Sequence, residues 1–164
     1  MANAIIYTKQ NADGERQNMT YTYSSNEFTP NTTSAITGKI KSITFYHRLQ
    51  YTGTSNPEWT GNVSIVAADG TSYTGTNSTY TIIKNGGTMV TLTIPEANCP
   101  PASVINSGNF SIKRTTVECS KNVYVPETAT LTLTINYEGI VPYIHNGTKW
   151  IESTPYIHNG TKYV

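Results

Sequence analysis

Apolar and polar residues alternate with a period of two along many short segments of this 164-residue chain. The clearest case is the segment 129–137, in which Ala, Leu, Leu, Ile and Tyr alternate with Thr and Asn. Residues 43–51 repeat the pattern, with odd-numbered positions that are apolar or aromatic apart from His47. Because successive side chains of a strand point to opposite faces, each segment predicts a β-strand with one buried face. No window has the period of a convincing helix.

Turn signals separate these segments at a spacing of roughly ten residues, which is typical of β-sandwiches and barrels. The sequence therefore predicts an all-β fold: a jelly-roll-like antiparallel β-sandwich over residues 1–138, followed by two tandem C-terminal β-hairpins in residues 139–164. The segment 24–35 is rich in Asn, Thr and Ser, and it is predicted to be an exposed loop or arm. Among the turn signals are Asp13-Gly14, Asp69-Gly70 and Asn85-Gly86-Gly87.

Charged residues make up only 13% of the chain, and the formal net charge is +1. Such a chain has no basic field with which to hold a phosphate backbone, so we expect no nucleic-acid partner. No stretch approaches the roughly 18 apolar residues that would span a bilayer, and the first residues lack the basic start of a secretory signal. We therefore expect no membrane partner and synthesis in the cytoplasm.

The residues that could carry chemistry do not form a catalytic or metal-binding pattern. His145 and His158 occupy equivalent positions of a repeat, and Asp13 and Asp69 each precede a glycine in a turn, where the side chain bonds its own backbone. There is no nucleophile elbow and no phosphate-binding glycine loop. We expect no enzymatic activity, no cofactor and no metal.

Cys99 and Cys119 are the only cysteines, too few for a disulfide framework. Two free thiols are the simpler expectation. A bridge between them across a sheet edge is the alternative.

Residues 142–151 return thirteen positions later as residues 155–164, with eight consecutive identical residues from Pro to Lys. Each copy contains Asn-Gly, the strongest short-range hairpin signal. Closure of the first copy at Asn146-Gly147 would place Tyr143 opposite Trp150. The second copy would place Tyr156 opposite Tyr163 in the same way. Because a lone hairpin is marginally stable in water, these faces need a surface to pack on. The predicted assembly interface consists of Tyr143, Trp150, Tyr156 and Tyr163.

Aromatic residues in polar loops indicate a second kind of function. Trp59 lies in the polar segment 55–61, and Tyr73 and Tyr80 flank another loop. Exposed aromatic rings beside Asn and Thr can stack on a sugar, so these three residues are candidate carbohydrate contacts. The alternative for Trp59 is a side chain that folds back over the end of the sandwich as part of the core.

The tandem Pro-Tyr-Ile-His-Asn-Gly-Thr-Lys-Trp unit, closing a Thr-rich β-domain, resembles the C-terminal ends of virion structural proteins from tailed bacteriophages and prophages of Gram-positive bacteria. This resemblance covers about the last two dozen residues. It implies a virion protein, assembled in the host bacterial cytoplasm, whose partners are other virion proteins and further copies of itself. It transfers no catalytic residue.

Long phage fibre proteins have an extended shaft or coiled-coil heptads, which this chain lacks. The resemblance implies a place in the tail, baseplate or fibre apparatus or as a capsid decoration, and without a shaft the expected role is a capsid decoration or a tail or baseplate accessory subunit. The alternative function is a carbohydrate-binding module that acts as a host-receptor adhesin.

Overall fold

The computed structural model describes residues 2–12, 20–139 and 143–152. Strands dominate it, and the helical segments are the 3-10 turns Ser25–Glu27 and Glu96–Asn98 and the short helix α1 (Ala102–Asn106). No helix within these described ranges is long and apolar enough to cross a bilayer. In chain order the strands are β1 (Ala2–Lys9), β2 (Tyr21–Ser24), β3 (Thr29–Pro30), β4 (Ile40–Tyr51), β5 (Glu58–Ala67), β6 (Ser72–Thr74), β7 (Ser78–Thr81), β8 (Gly86–Pro95), β9 (Phe110–Cys119), β10 (Leu131–Glu138), β11 (Tyr143–His145) and β12 (Trp150–Glu152).

Two antiparallel sheets form the sandwich. The first has the order β3-β1-β10-β4-β8, and the second has the order β2-β9-β5-β6, with β7 also paired to β5. The main strands alternate between the sheets along the chain: β1, β4, β8 and β10 lie in the first sheet, and β2, β5 and β9 lie in the second. This connectivity is that of a jelly roll. The predicted all-β, jelly-roll-like sandwich is confirmed.

The inward faces of both sheets form one hydrophobic core. The alternation predicted for residues 43–51 is confirmed for Ile43, Phe45, His47 and Leu49, which are fully buried, whereas Tyr51 at the end of β4 is half-buried. The odd-numbered apolar residues of β10 are buried in the same way. Burial of each large apolar side chain contributes about 1.5–3 kcal/mol, so these two adjacent strands supply much of the stability of the first sheet.

The polar segment 24–35 was predicted to be an exposed loop or arm, and this prediction is wrong for part of it. Ser25–Glu27 forms a 3-10 turn that begins with a capping box, and Thr29–Pro30 pairs with β1. Phe28 is buried, and its ring meets that of Tyr23 edge to face at 5.9 Å. A single aromatic residue within a polar stretch therefore draws this segment onto the core.

Strand β4 connects two opposite ends of the sandwich. Its first residue, Ile40, lies across from Tyr137, close to the point where β10 ends at Glu138. We call this the exit end, because the chain leaves the sandwich there. Its last residue, Tyr51, lies at the other end, called the loop end. At about 3.3 Å per residue, the strand separates the two ends by roughly 36 Å.

The first copy of the tandem repeat forms a hairpin with its own two-stranded sheet, β11-β12. Its register differs from the prediction: Trp150 lies across from His145, and Tyr143 lies across from Glu152. A two-residue turn of the predicted type needs positive φ at both central residues, and here Gly147 has it (98°) while Asn146 does not. The side-chain oxygen of Asn146 instead accepts hydrogen bonds from the backbone N–H groups of Thr148 and Lys149, which widens the turn.

Candidate functional site

Trp59 was a candidate carbohydrate contact in a loop, but it lies in β5 and has no exposed surface. Its indole Nε1 donates a hydrogen bond to Oγ1 of Thr116 at 3.1 Å. Gly61 lies against the ring, since a Cβ atom at that position would overlap the indole. A ring enclosed in the core has no face to offer a sugar. The alternative assignment of Trp59 to the core therefore agrees with its position.

Tyr80 was a second candidate carbohydrate contact, but its hydroxyl group is bound within the chain. It donates to the carbonyl oxygen of Thr91 at 2.8 Å and accepts from the N–H of the same residue at 3.0 Å. The N–H of Thr76 also donates to the carbonyl oxygen of Thr93. These bonds occupy the outer edge of β8 at Thr91 and Thr93 and join the two sheets there. Tyr73, the third candidate, is half-buried in β6 and packs against the core.

The residues of the predicted assembly interface are only partly within the described ranges. Tyr143 and Trp150 belong to the paired strands β11 and β12. Tyr156 and Tyr163 lie outside the described residues. The turn between the strands, residues 145–149, is exposed. The assembly role of these four aromatic residues stays a prediction.

His47 and Arg114 are fully buried. Burial first, and then the nearby charge of Arg114, lower the pKa of His47 to about 3, so its imidazole is neutral at physiological pH. Its Nδ1 lies 3.4 Å from the carbonyl oxygen of Arg48. His47 therefore lies on the buried face that the alternation of residues 43–51 predicts. Enclosed in this way, it cannot exchange a proton with a substrate.

Both cysteines are free thiols. Burial raises the pKa of Cys99 to about 11, so it stays protonated near neutral pH and is a weak nucleophile. The Cys119 thiol donates to the carbonyl oxygen of Lys121 at 3.2 Å. In the described part of the chain, no group of three or more His, Cys, Asp and Glu residues could hold a metal ion.

A cavity of about 710 Å³ lies at the loop end of the sandwich. The chain from β4 to β5 and the chain from β9 to β10 form its walls. Its volume is within the range typical of small-molecule sites, roughly 300–1,000 Å³. We call it the tyrosine cleft. It is lined by Tyr51, Thr52, Ser120, Lys121, Asn122, Tyr124 and Glu127.

Backbone pairing and packing hold the two tyrosines in place. The N–H of Tyr124 donates to the carbonyl oxygen of Gln50 at 2.8 Å, and the reverse bond has the same length. Val123 and Val125 are fully buried on either side of Tyr124, so alternation turns Tyr124 away from the core. The ring of Tyr51 lies over Gly53, where a Cβ atom would overlap its outer end. The backbone of Tyr124 and the ring of Tyr51 are thus positioned by contacts within the chain.

The polar side chains of the tyrosine cleft differ from those on the outer face of the second sheet. There the polar residues bind each other, as in the pairs Thr60 with Thr79 (2.7 Å) and Ser64 with Thr74 (2.9 Å).

A second hollow of about 450 Å³ adjoins the tyrosine cleft and shares Ser120 and Lys121 with it. The two hollows together form a groove across the loop end.

Sequence reasoning missed the tyrosine cleft. The alternation of Val123 to Val125 does predict that Tyr124 faces outward, and Tyr51 ends a predicted strand. What brings the two rings together is the bridge between Gln50 and Tyr124, which joins residues far apart in the sequence. No local pattern marks such a contact.

No protein-family model matches the chain, and no curated protein matches it. Among solved structures, the chain is similar to a carbohydrate-binding module from a family 9 glycoside hydrolase of Ruminococcus flavefaciens. The sequence identity is 12%, the TM-score is 0.51, and the alignment covers 82% of this chain and 98% of the module.

The chain also aligns with two viral structures. One is infectious bursal disease virus, Gx strain, at 13% identity and a TM-score of 0.39, covering 90% of this chain and 33% of that chain. The other is the coat protein of Tobacco streak virus, at 9% identity and a TM-score of 0.35, covering 89% of this chain and 93% of that chain. At 12% identity the similarity to the bacterial module shows the fold alone, and the two viral alignments, with TM-scores below 0.5, support no conclusion about function.

Proposed function

We propose that this protein is a structural subunit on the surface of a bacteriophage particle, either a capsid decoration or a tail or baseplate accessory protein. It acts by protein–protein assembly rather than by catalysis, and the C-terminal repeat attaches it to neighbouring subunits. The observation that carries the proposal is the hairpin β11-β12, which forms a sheet of its own rather than extending either sheet of the sandwich.

Energetics support this role for the repeat. An isolated two-stranded hairpin is marginally stable in water and needs another surface to pack on. The sandwich core is built from strands β1 to β10, which all precede residue 139, and part of the outer edge of β8 is already occupied by Tyr80 and Thr76. A neighbouring subunit is thus the surface on which we expect the repeat to pack. The resemblance of the repeat to phage virion proteins supports a virion protein as this neighbour.

Deletion of residues 139–164 tests this proposal. The truncated protein should keep its β-rich circular dichroism spectrum and cooperative melting, because both sheets are retained. It should no longer form the oligomers of the full-length protein or co-sediment with particles, as measured by light scattering after size exclusion and by mass spectrometry of purified particles. Trp150→Ser together with Tyr163→Ser should weaken association in the same direction, because aromatic anchors tend to dominate interfaces.

Tyr46→Ser is the matched control, because Tyr46 is an exposed tyrosine on the first sheet. It should change neither oligomeric state nor attachment. The proposal is wrong if the truncated protein unfolds while the full-length protein stays monomeric at high concentration. That result would assign the repeat to the core of a single chain.

A further inference from the structure

We propose that the tyrosine cleft binds a neutral oligosaccharide. The site is distinct from the assembly repeat, and its residues differ from the aromatic residues that the sequence pattern singled out for sugar contact. The proposal rests on the concave shape of the cleft, on two half-buried aromatic rings and on the four side chains of Thr52, Ser120, Asn122 and Glu127, which form no hydrogen bond within the described part of the chain.

The aromatic rings suit the C–H faces of a sugar. The face of an aromatic ring carries partial negative charge, which attracts the weakly positive hydrogens of a pyranose. Tyr51 and Tyr124 are both half-buried, so each keeps part of its surface accessible in the cleft. A half-buried ring has fewer conformations to lose than an exposed one when a ligand stacks on it, and such preorganisation favours binding.

The polar side chains match the hydroxyl groups of a sugar, which both donate and accept hydrogen bonds. Thr52 and Ser120 offer hydroxyl groups, Asn122 offers an amide, and Glu127 offers a carboxylate acceptor. These four residues are exposed, and their side chains make no hydrogen bond to another residue in the described part of the chain. They are thus available to a ligand, unlike the self-paired Thr and Ser residues of the second sheet.

The charges of the groove favour a neutral glycan over a polyanion. The tyrosine cleft contains Lys121 and Glu127, and the adjoining hollow adds Glu58 and Glu118. One lysine against three glutamates produces no positive field, so phosphate-bearing polymers would be repelled rather than held. The two adjoining hollows also indicate the length of the ligand, because a groove divided at Ser120 and Lys121 suits an oligosaccharide of several units.

The test uses the full-length protein and a panel of neutral glucan, galactan and mannan hexasaccharides, with a polyanionic glycan as the charged probe. Isothermal titration should detect binding to at least one neutral hexasaccharide and none to the polyanion. Tyr124→Ala should weaken that binding about tenfold or more, which corresponds to a loss of about 1.4 kcal/mol. Asn122→Ala changes an exposed loop residue and should weaken binding without affecting the melting temperature.

Two further variants separate the site from general effects on the fold. Gly53→Ala should displace the ring of Tyr51 and reduce affinity while the backbone pairing of Tyr124 persists. Tyr46→Ala removes an exposed tyrosine far from the groove and should leave affinity unchanged. No binding of any neutral hexasaccharide at millimolar concentration overturns the proposal, as does preference for the polyanion. Equal affinity of the Tyr124→Ala, Asn122→Ala and unaltered proteins overturns it as well.

Discussion

Replacement of Trp59 by alanine should strongly destabilise the protein, and it changes none of the residues that line the tyrosine cleft. The side chain has no exposed surface, and the substitution removes both the indole ring and its hydrogen bond to Thr116. Changes of this size in a core usually cost about 3–5 kcal/mol. The cavity left by the indole cannot easily collapse, because at Trp59 strand β5 is paired with β7 on one side and with β9 on the other. We therefore expect the upper part of that range.

For a chain of this size, a loss of about 4–5 kcal/mol lowers the melting temperature by roughly 8–20 °C. Urea unfolding, followed by circular dichroism, measures the change in the free energy of unfolding. Trp59→Phe keeps most of the ring but not the hydrogen bond, so it should cost less than Trp59→Ala. A Trp59→Ala protein that unfolds within about 1 kcal/mol of the unaltered protein, yet no longer binds sugar, would refute this reasoning and restore Trp59 as a surface contact.

Two smaller predictions concern polar groups of the sandwich. Tyr80→Phe leaves the N–H and carbonyl groups of Thr91 without their hydroxyl partner and should cost about 1–3 kcal/mol in urea unfolding, whereas Tyr73→Phe should cost less. The pKa of His47 is about 3 in the folded protein and about 6.5 in the unfolded chain, so only the unfolded chain takes up this proton as the pH falls between these values. Stability should therefore decrease toward low pH with a slope of up to about 1.4 kcal/mol per pH unit, and His47→Leu should remove that part of the slope between about pH 6.5 and pH 5. An unchanged slope in His47→Leu would contradict the assignment.

Period-two alternation was a reliable guide wherever a strand buries one face completely. Strands β4 and β10 follow the predicted pattern because their inward residues are all large. Trp59 shows where the same rule was applied too narrowly. It continues the odd-numbered inward positions of Val63 and Ile65, but Gly61 intervenes and conceals the pattern. A glycine at an inward position can make room for a neighbouring ring, and reading it in that way would have placed Trp59 in the core.

The hairpin and the tyrosine cleft show what local patterns do not contain. Asn-Gly correctly located the turn of the first repeat, but the side chain of Asn146 binds two backbone N–H groups and thereby shifts the pairing by two residues. The cleft depends on a bridge between Gln50 and Tyr124, which are distant in sequence. Such non-local contacts follow from the packing of the whole sandwich, so neither feature was accessible from a single segment.

The length of β4 has a consequence for a subunit displayed in many copies. The chain leaves the sandwich at one end of this strand, and the tyrosine cleft lies at the other, roughly 36 Å away. Subunits anchored by their repeats would then hold their clefts outward as an array. When several clefts engage one polymer, each later contact forms at high effective concentration, and avidity can exceed the single-site affinity by about 10²–10⁴-fold. Millimolar affinity at each cleft would then become an apparent affinity of about 0.1–10 µM for an array that engages one polymer.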